Sequence, residues 1–139
     1  MNLNDIIPNE KQREIYLLRQ RGMKFKEIAE QLGISASTAS LYYKRAENIV
    51  MLTEWYQKKI AEFDEPSDIT LTKGDVGVML DALLLLERAR LRRKEQSPIN
   101  KYQAEYLNQR ILSFKKLKKQ ALICTMGEKK YELMQQKYK

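Results

Sequence analysis

Residues 25–46 read FKEIAEQLGISASTASLYYKRA, and this stretch decides the fold of the N-terminal part of the chain. Apolar residues recur at helical spacing on both sides of Gly33-Ile34-Ser35, which predicts two short helices joined by a tight turn. Gly33 supplies the left-handed backbone conformation that such a turn needs. Ile34 is expected to fill the space between the helices, and Ser35 to cap the second one. The stretch therefore predicts a helix-turn-helix.

The residues before the turn predict another helix. Ile15 and Leu18 lie on one stripe of a helix from about residue 10 to 21, with Asn9 as its N-cap and Gly22 at its end. After the turn, the inward positions of the next helix are predicted to be Ala39, Tyr42, Tyr43 and Ala46. A similar stripe continues through Ile49, Leu52, Tyr56, Ile60 and Phe63. Either this helix is long or a fourth helix follows it.

With these features in place, residues 15–46 resemble region four of bacterial sigma factors and the related LuxR-type modules. The features that carry the resemblance are the Arg21-Gly22 turn, Lys26-Glu-Ile-Ala29, Leu32-Gly-Ile-Ser35, Ser37-Thr38 and Tyr42-Tyr-Lys-Arg-Ala46. The resemblance implies a helix-turn-helix that docks the helix after Ser35 in the major groove of duplex DNA. Only about nine residues precede the module, so a stand-alone sigma factor is not expected.

The resemblance also implies roles for single residues. Those expected to face the bases are Ala36, Ser37, Ser40 and Leu41. Those expected to contact phosphates are Lys24, Lys26, Thr38, Lys44 and Arg45. Short hydroxyl and apolar side chains can contact thymine methyl groups and single base atoms, but they cannot form the bidentate guanine contacts of arginine. The family usually caps its second helix with Ser or Thr, where this chain has Lys24.

Each of these residues also has a purely structural interpretation. Ser37 and Thr38 are common in the first turn of any helix. Lys44 and Arg45 are also typical of a solvated helix face, and both tyrosines of the stripe, Tyr42 and Tyr43, are interpreted mainly as core.

The C-terminal half predicts a helical hairpin. An acidic loop with Pro66 ends the N-terminal module near residue 63, and Thr72 with Asp75 predicts a capped helix that reaches about Glu95. A second helix is predicted from Pro98, capped by Ser97, to about residue 125. We therefore predict an all-α fold with a DNA-binding module at 1–63, a hairpin for dimerisation at 70–126 and a basic tail at 127–139.

The prediction of a homodimer rests on the first hairpin helix. It carries more apolar surface than one antiparallel partner covers, and its apolar residues include Val76, Met79, Leu80, Leu83, Leu84, Leu86 and Leu91. Because an uncovered leucine face favours aggregation, a symmetric copy is the expected cover. The competing interpretation is that the N-terminal module folds back onto this helix.

Charge and composition agree with a polyanionic partner. The chain has a net charge of +8, and residues 97–139 carry 10 basic and 3 acidic groups. Within them, residues 110–119 (RILSFKKLKK) form a basic amphipathic stretch. Its alternatives are a second DNA-backbone contact, an anionic membrane surface or a solvated helix face. The single cysteine, Cys124, and the absence of a signal-like N-terminus predict a cytoplasmic protein.

Most catalytic chemistry is excluded by residue type. The chain has no histidine, one cysteine and no glycine-rich phosphate loop, so no enzyme activity, metal site or cofactor is predicted. The predicted function is a sequence-specific DNA-binding transcriptional regulator of phage or mobile-element type. The alternatives are a DNA-recognition subunit of a phage DNA-processing or packaging complex, and a protein-interaction adaptor that contacts RNA polymerase.

Overall fold

The computed structural model describes residues 2–92 and 97–137 of the chain. Within these ranges the chain forms helices and connecting loops without a strand, which confirms the all-α prediction. The helices are α1 (Leu3–Ile6), α2 (Glu10–Gln20), α3 (Phe25–Leu32), α4 (Ala36–Glu62), α5 (Lys73–Arg92), α6 (Lys101–Met126) and α7 (Glu128–Lys137). None of the described helices is long and apolar enough to cross a membrane.

The chain divides into two compact units. The first unit comprises Met1–Phe63 and Ser97–Leu107, and the second comprises Asp64–Gln96 and Asn108–Lys139. Helix α6 begins in the first unit and continues in the second. The role of residues 70–126 in dimerisation stays a prediction.

The core of the first unit is the predicted helix-turn-helix. Helices α2, α3 and α4 bury Ile15, Leu18, Ile28 and Ala39 in one cluster. Asn9 caps α2, because its side-chain oxygen accepts a hydrogen bond from the N–H of Gln12 at 2.9 Å. Burying each of the three larger side chains stabilises the fold by about 1.5 to 3 kcal/mol. Local sequence signals therefore place the three helices, and the shared cluster holds them together.

A second cluster was not predicted. Ile6, the last residue of the four-residue helix α1, and Ile7, its C-cap, are buried and pack with Ala46 of α4. The guanidinium of Arg13 donates a hydrogen bond to the carbonyl oxygen of Ile7 at 2.8 Å. A helix of one turn shows no apolar periodicity, so the sequence pattern could not reveal it.

Helix α4 settles the choice between a long third helix and an additional fourth one. It runs without a break for 27 residues, from the turn to Glu62. At 1.5 Å per residue, such a helix is about 40 Å long. Its first part belongs to the helix-turn-helix, and its second part packs aromatic residues: Trp55 and Tyr56 lie 5.5 Å from Tyr106, measured between ring centroids.

The predicted start of α6 was wrong. The helix begins at Lys101, and neither Ser97 nor Pro98 belongs to it. Asn100 caps it instead, because its side-chain oxygen accepts hydrogen bonds from the N–H groups of Tyr102 and Gln103 at 3.1 and 3.2 Å. Ser97 and Pro98 resemble a helix start, but the helix begins after Asn100, whose side chain also forms long-range hydrogen bonds.

Those long-range contacts come from the amide of Asn100. Its Nδ2 donates to the carbonyl oxygen of Ile6 and to Oγ1 of Thr53, each at 2.9 Å. Thr53 is a fully buried polar residue, and its hydroxyl donates in turn to the carbonyl oxygen of Ile49 at 2.7 Å. Nearby, Lys101 forms an ion pair with Asp5 at 2.9 Å. We call the Asn100 bonds to Ile6 and Thr53 the Asn100 clasp.

In the second unit, α5 and the C-terminal part of α6 form the antiparallel hairpin that the sequence predicts. Glu87 pairs with Lys118 at 2.6 Å, and the guanidinium of Arg90 lies 5.8 Å from the ring centroid of Phe114. Residues later in α5 thus meet residues earlier in α6, so the helices run in opposite directions. The predicted end of α5 at Glu95 lies outside the described residues.

The cap of α5 and the residues after α6 complete the second unit. Thr72 and Asp75 exchange the two hydrogen bonds of a capping box, at 2.9 and 3.1 Å. Hydrogen bonding of the Asp75 carboxylate to the backbone N–H of Thr72, followed by hydrogen bonding to the Thr72 side chain, holds the pKa of Asp75 below its usual value. After Gly127 the chain turns into α7, whose Tyr131 and Met134 line one groove with residues of α5 and α6. The basic tail is therefore helical over the described residues 128–137.

Candidate nucleic-acid interface

The turn between α3 and α4 sets the direction of the helix that carries most candidate residues. Gly33 has φ 67° and ψ 35°, the left-handed conformation that the sequence predicts. The N–H of Ile34 then donates to the carbonyl oxygen of Ala29 at 3.0 Å, which closes the end of α3. Ile34 packs against the core cluster, as expected. The turn holds the two helices at a defined angle.

The first turn of α4 is organised by hydroxyl groups. Oγ of Ser35 accepts a hydrogen bond from the N–H of Thr38 at 3.1 Å, which confirms Ser35 as the N-cap. The same hydroxyl donates to Oγ1 of Thr38 at 2.7 Å and lies 3.1 Å from Oγ of Ser37. Because Ser35 engages both side chains, their local structural role is real. Ser37 is nevertheless exposed, while Thr38 is half-buried.

Three candidates line the exposed side of α4. Ser37, Leu41 and Lys44 are all exposed, and their spacing of four and then three residues places them on one face. The opposite face buries Ala39 and Ala46 completely. This face of α4 is therefore available to a partner, whereas its other face is bound to the module.

The remaining α4 candidates flank that face. Ala36 is exposed and Ser40 is half-buried. Arg45 is exposed, with its guanidinium 6.0 Å from the ring centroid of Tyr42. From residue 36 to residue 46 the helix carries two basic residues and no carboxylate.

Lys24 and Lys26 lie at the start of α3. Both are exposed, and Lys24 occupies the N-cap position. The N–H of Lys24 donates to a carboxylate oxygen of Glu27 at 3.0 Å, which is one of the two hydrogen bonds of a capping box; the lysine side chain does not supply the other.

Both tyrosines of α4 contact the core, in agreement with their interpretation as mainly structural. Tyr43 stacks on Tyr16 with ring centroids 5.8 Å apart, and it also meets Phe25 at 5.7 Å. Tyr42 and Tyr43 are both half-buried against the core cluster. Burial, followed by the nearby Tyr43, raises the pKa of Tyr16 above its ordinary value. These rings therefore pack between α4 and the core, on the side away from its exposed face.

One exposed residue on the same face was missed. Asn48 follows Leu41 by seven residues and Lys44 by four, so it lies on the face that Ser37 begins. Asparagine is a side chain that can pair with adenine in the major groove. The helical spacing was the signal that could have found it.

The basic stretch at 110–119 lies on α6. Lys118 is engaged by Glu87, whereas Lys115, Lys116 and Lys119 are exposed. No group of three or more possible metal ligands occurs in the part of the chain that the structure describes.

Comparison with known proteins supports the geometry. Residues 9–48 match the family model of sigma-70, region 4, which is under a third of the chain. No curated protein and no solved structure matches the chain. The matched segment begins at the cap of α2 and ends at Asn48, so it contains α2, α3, the first part of α4 and every candidate residue. Residues 9–48 therefore form a helix-turn-helix that is similar to region 4 of sigma-70, and this similarity supports a role in DNA binding.

Proposed function

We propose that this protein is a sequence-specific transcriptional regulator of phage or mobile-element type, which inserts the first part of α4 into the major groove. The observation that carries the proposal is the exposed face of Ser37, Leu41 and Lys44 opposite two buried alanines. A helix fits the major groove, and its exposed first turns are the part that reaches base edges. Because its proposed target is DNA, we also propose that the protein acts in the cytoplasm.

The candidate residues divide into two roles in this proposal. Ala36, Ser37, Ser40 and Leu41 contact bases, and their short side chains favour thymine methyl groups and single hydrogen bonds. Lys24, Lys26, Thr38, Lys44 and Arg45 contact phosphates, which fix the register of the module but carry no sequence information. Asn48 is added as a further base-contacting candidate.

The phosphate contacts give the first test. The double variant Lys44→Ala/Arg45→Ala is expected to weaken binding to every duplex and to reduce the slope of log K against log salt by about two. The matched control is Lys129→Ala/Lys130→Ala, which removes the same charge from two exposed lysines of α7. Fluorescence anisotropy with random duplex over a salt series measures both. Equal slopes for the two variants would remove Lys44 and Arg45 from the interface.

Selection of bound fragments from a random duplex pool tests specificity. A regulator is expected to enrich one short motif, and the double variant Ser37→Ala/Leu41→Ala is expected to lose that enrichment while it still binds random duplex. In specific protein–DNA complexes a mismatched base pair typically costs about 1 to 3 kcal/mol, and this discrimination is what the variant is expected to lose. A pool that stays random after selection by the parent protein would contradict sequence-specific binding.

A protein-interaction adaptor is the second candidate function, and one observation favours it. Beyond the matched segment, α4 exposes Met51, Leu52 and Trp55, which are 62%, 43% and 45% accessible. Exposed aromatic and methionine side chains are enriched at protein interfaces. In this alternative the chain contacts RNA polymerase or another protein. Its affinity for random duplex DNA would then not depend on the salt concentration.

A homodimer is part of the proposed function. The contacts of single short side chains are modest, and two modules on one DNA molecule add them. A twofold dimer would read an inverted repeat, so the motif from the selection is expected to be palindromic.

A further inference from the structure

We propose that two copies of this chain pair antiparallel through one exposed face of α5. This face, the α5 seam, consists of Val78, Ala82, Leu85 and Ala89. The inference deepens the proposed function, since it names the surface of the homodimer. Its test is the mass of the protein in solution and involves no DNA.

Helix α5 has one covered and one uncovered face. On the covered face, Leu80 is buried and Glu87 pairs with Lys118 of α6. On the opposite face, Val78 is 71% and Leu85 is 64% accessible, and both alanines of the seam are exposed. Leu80, one of the apolar residues on which the dimer prediction rested, is buried within the second unit and cannot contact a partner. The uncovered apolar surface is therefore centred on the seam.

The spacing of the seam is that of a helix-pairing surface. Its residues follow one another by four, three and four positions, which is the pattern of the core positions in a coiled coil. This spacing keeps a stripe facing a partner helix over the whole length of the contact. Two of the four residues are alanine, so two helices can approach closely.

The orientation follows from size and charge. In antiparallel register about a twofold axis between residues 83 and 84, Ala82 faces the partner subunit's Leu85, and Val78 faces the partner subunit's Ala89. Each layer then combines a small side chain with a larger one. In parallel register each residue would face its own copy, and the two alanines of a layer would leave space unfilled.

The residues beside the seam are complementary in the same register. Asp81 and Arg88 are both exposed and flank one side. Antiparallel pairing sets Asp81 beside the partner subunit's Arg88, and the twofold axis repeats this pair. On the other side, Met79 meets the partner subunit's Leu86, whose side chain is 45% accessible in one chain. The flanks thus form two ion pairs and an apolar border, which a parallel pair would not do.

Light scattering after size-exclusion chromatography tests the seam. The full chain is expected to have the mass of a dimer at micromolar concentration, and Leu85→Glu is expected to raise the dimer dissociation constant at least about tenfold, since it places an unpaired carboxylate in the interface. The control Leu112→Glu changes a leucine of similar exposure, 68%, on α6 and is expected to leave the mass unchanged. Both leucines are exposed in one chain, so circular dichroism should show unaltered helix content.

Charge exchange tests the orientation. Asp81→Arg and Arg88→Asp are each expected to weaken the dimer by like-charge repulsion, and the double variant is expected to restore it to within about threefold of the parent. A monomeric parent protein would overturn the proposal, as would a Leu85→Glu variant that dimerises like the parent. A double variant no better than the single ones would overturn the antiparallel register.

The same samples separate this inference from the proposed function. A monomeric Leu85→Glu protein is expected to keep salt-dependent binding to random duplex, because its helix-turn-helix is intact. Loss of DNA binding by Lys44→Ala/Arg45→Ala with unchanged mass would support the module independently of the dimer.

Discussion

The Asn100 clasp joins the start of α6 to the N-terminal module, and its removal should destabilise the first unit. Asn100→Ala deletes a helix cap, at a cost of about 1 kcal/mol. It also deletes two hydrogen bonds to Ile6 and Thr53, at about 1 kcal/mol each. The expected loss is the sum of these contributions, about 3 kcal/mol in the free energy of unfolding, because Thr53 is buried and loses its donor.

A second substitution separates the two roles of Asn100. Serine caps helices well but is too short to reach both acceptors, so Asn100→Ser should keep the cap and lose the clasp. We expect a loss of about 2 kcal/mol for Asn100→Ser. The matched control is Asn108→Ala, which removes an exposed asparagine from the same helix and should change stability by less than about 0.5 kcal/mol.

Fluorescence of Trp55 during urea denaturation is a suitable assay. It is the only tryptophan of the chain, and its ring lies 5.5 Å from that of Tyr106, so it reports on the first unit. A midpoint for Asn100→Ala that equals the parent's would refute the clasp. Equal losses for Asn100→Ala and Asn100→Ser would show that the donated hydrogen bonds, and not the cap, account for the stability.

Two further predictions concern backbone conformation and pH. Gly33→Val should lower the stability of the module by roughly 1 to 3 kcal/mol in thermal unfolding. The cost is conformational, because φ is 67° at Gly33 and an added Cβ meets no neighbouring atom. The control Gly77→Ala, inside α5, should instead be neutral or stabilising. The pKa of Asp75 is lowered, so its contribution should be present above pH 4 and disappear as the pH falls through the lowered pKa. Asp75→Ala should therefore unfold more easily than the parent at neutral pH and equally at the acid end, and a pH-independent difference would contradict the capping interaction.

Much of the first unit could be predicted because its signals are local. A cap such as Ser35 bonds to a residue three positions away, and Gly33 meets a conformational demand of its own backbone. Apolar residues at helical spacing mark the buried face of each helix. The three core helices and the exposed face of α4 follow from such short-range patterns, and the family match at 9–48 agrees with them.

The tertiary structure decided what depends on residues far apart in the chain. Asn100 bonds to Ile6 across 94 positions, and no local pattern announces such a partner. Because Asn100 makes this contact and caps α6, the helix begins at Lys101 and not at Pro98 as the local pattern predicts. Packing likewise distinguishes the apolar residues of α5. Leu80 is buried and Leu85 is exposed, because α6 packs on one side of α5 only. Sequence periodicity determines that a helix has an apolar face, but only packing determines which part of that face stays free.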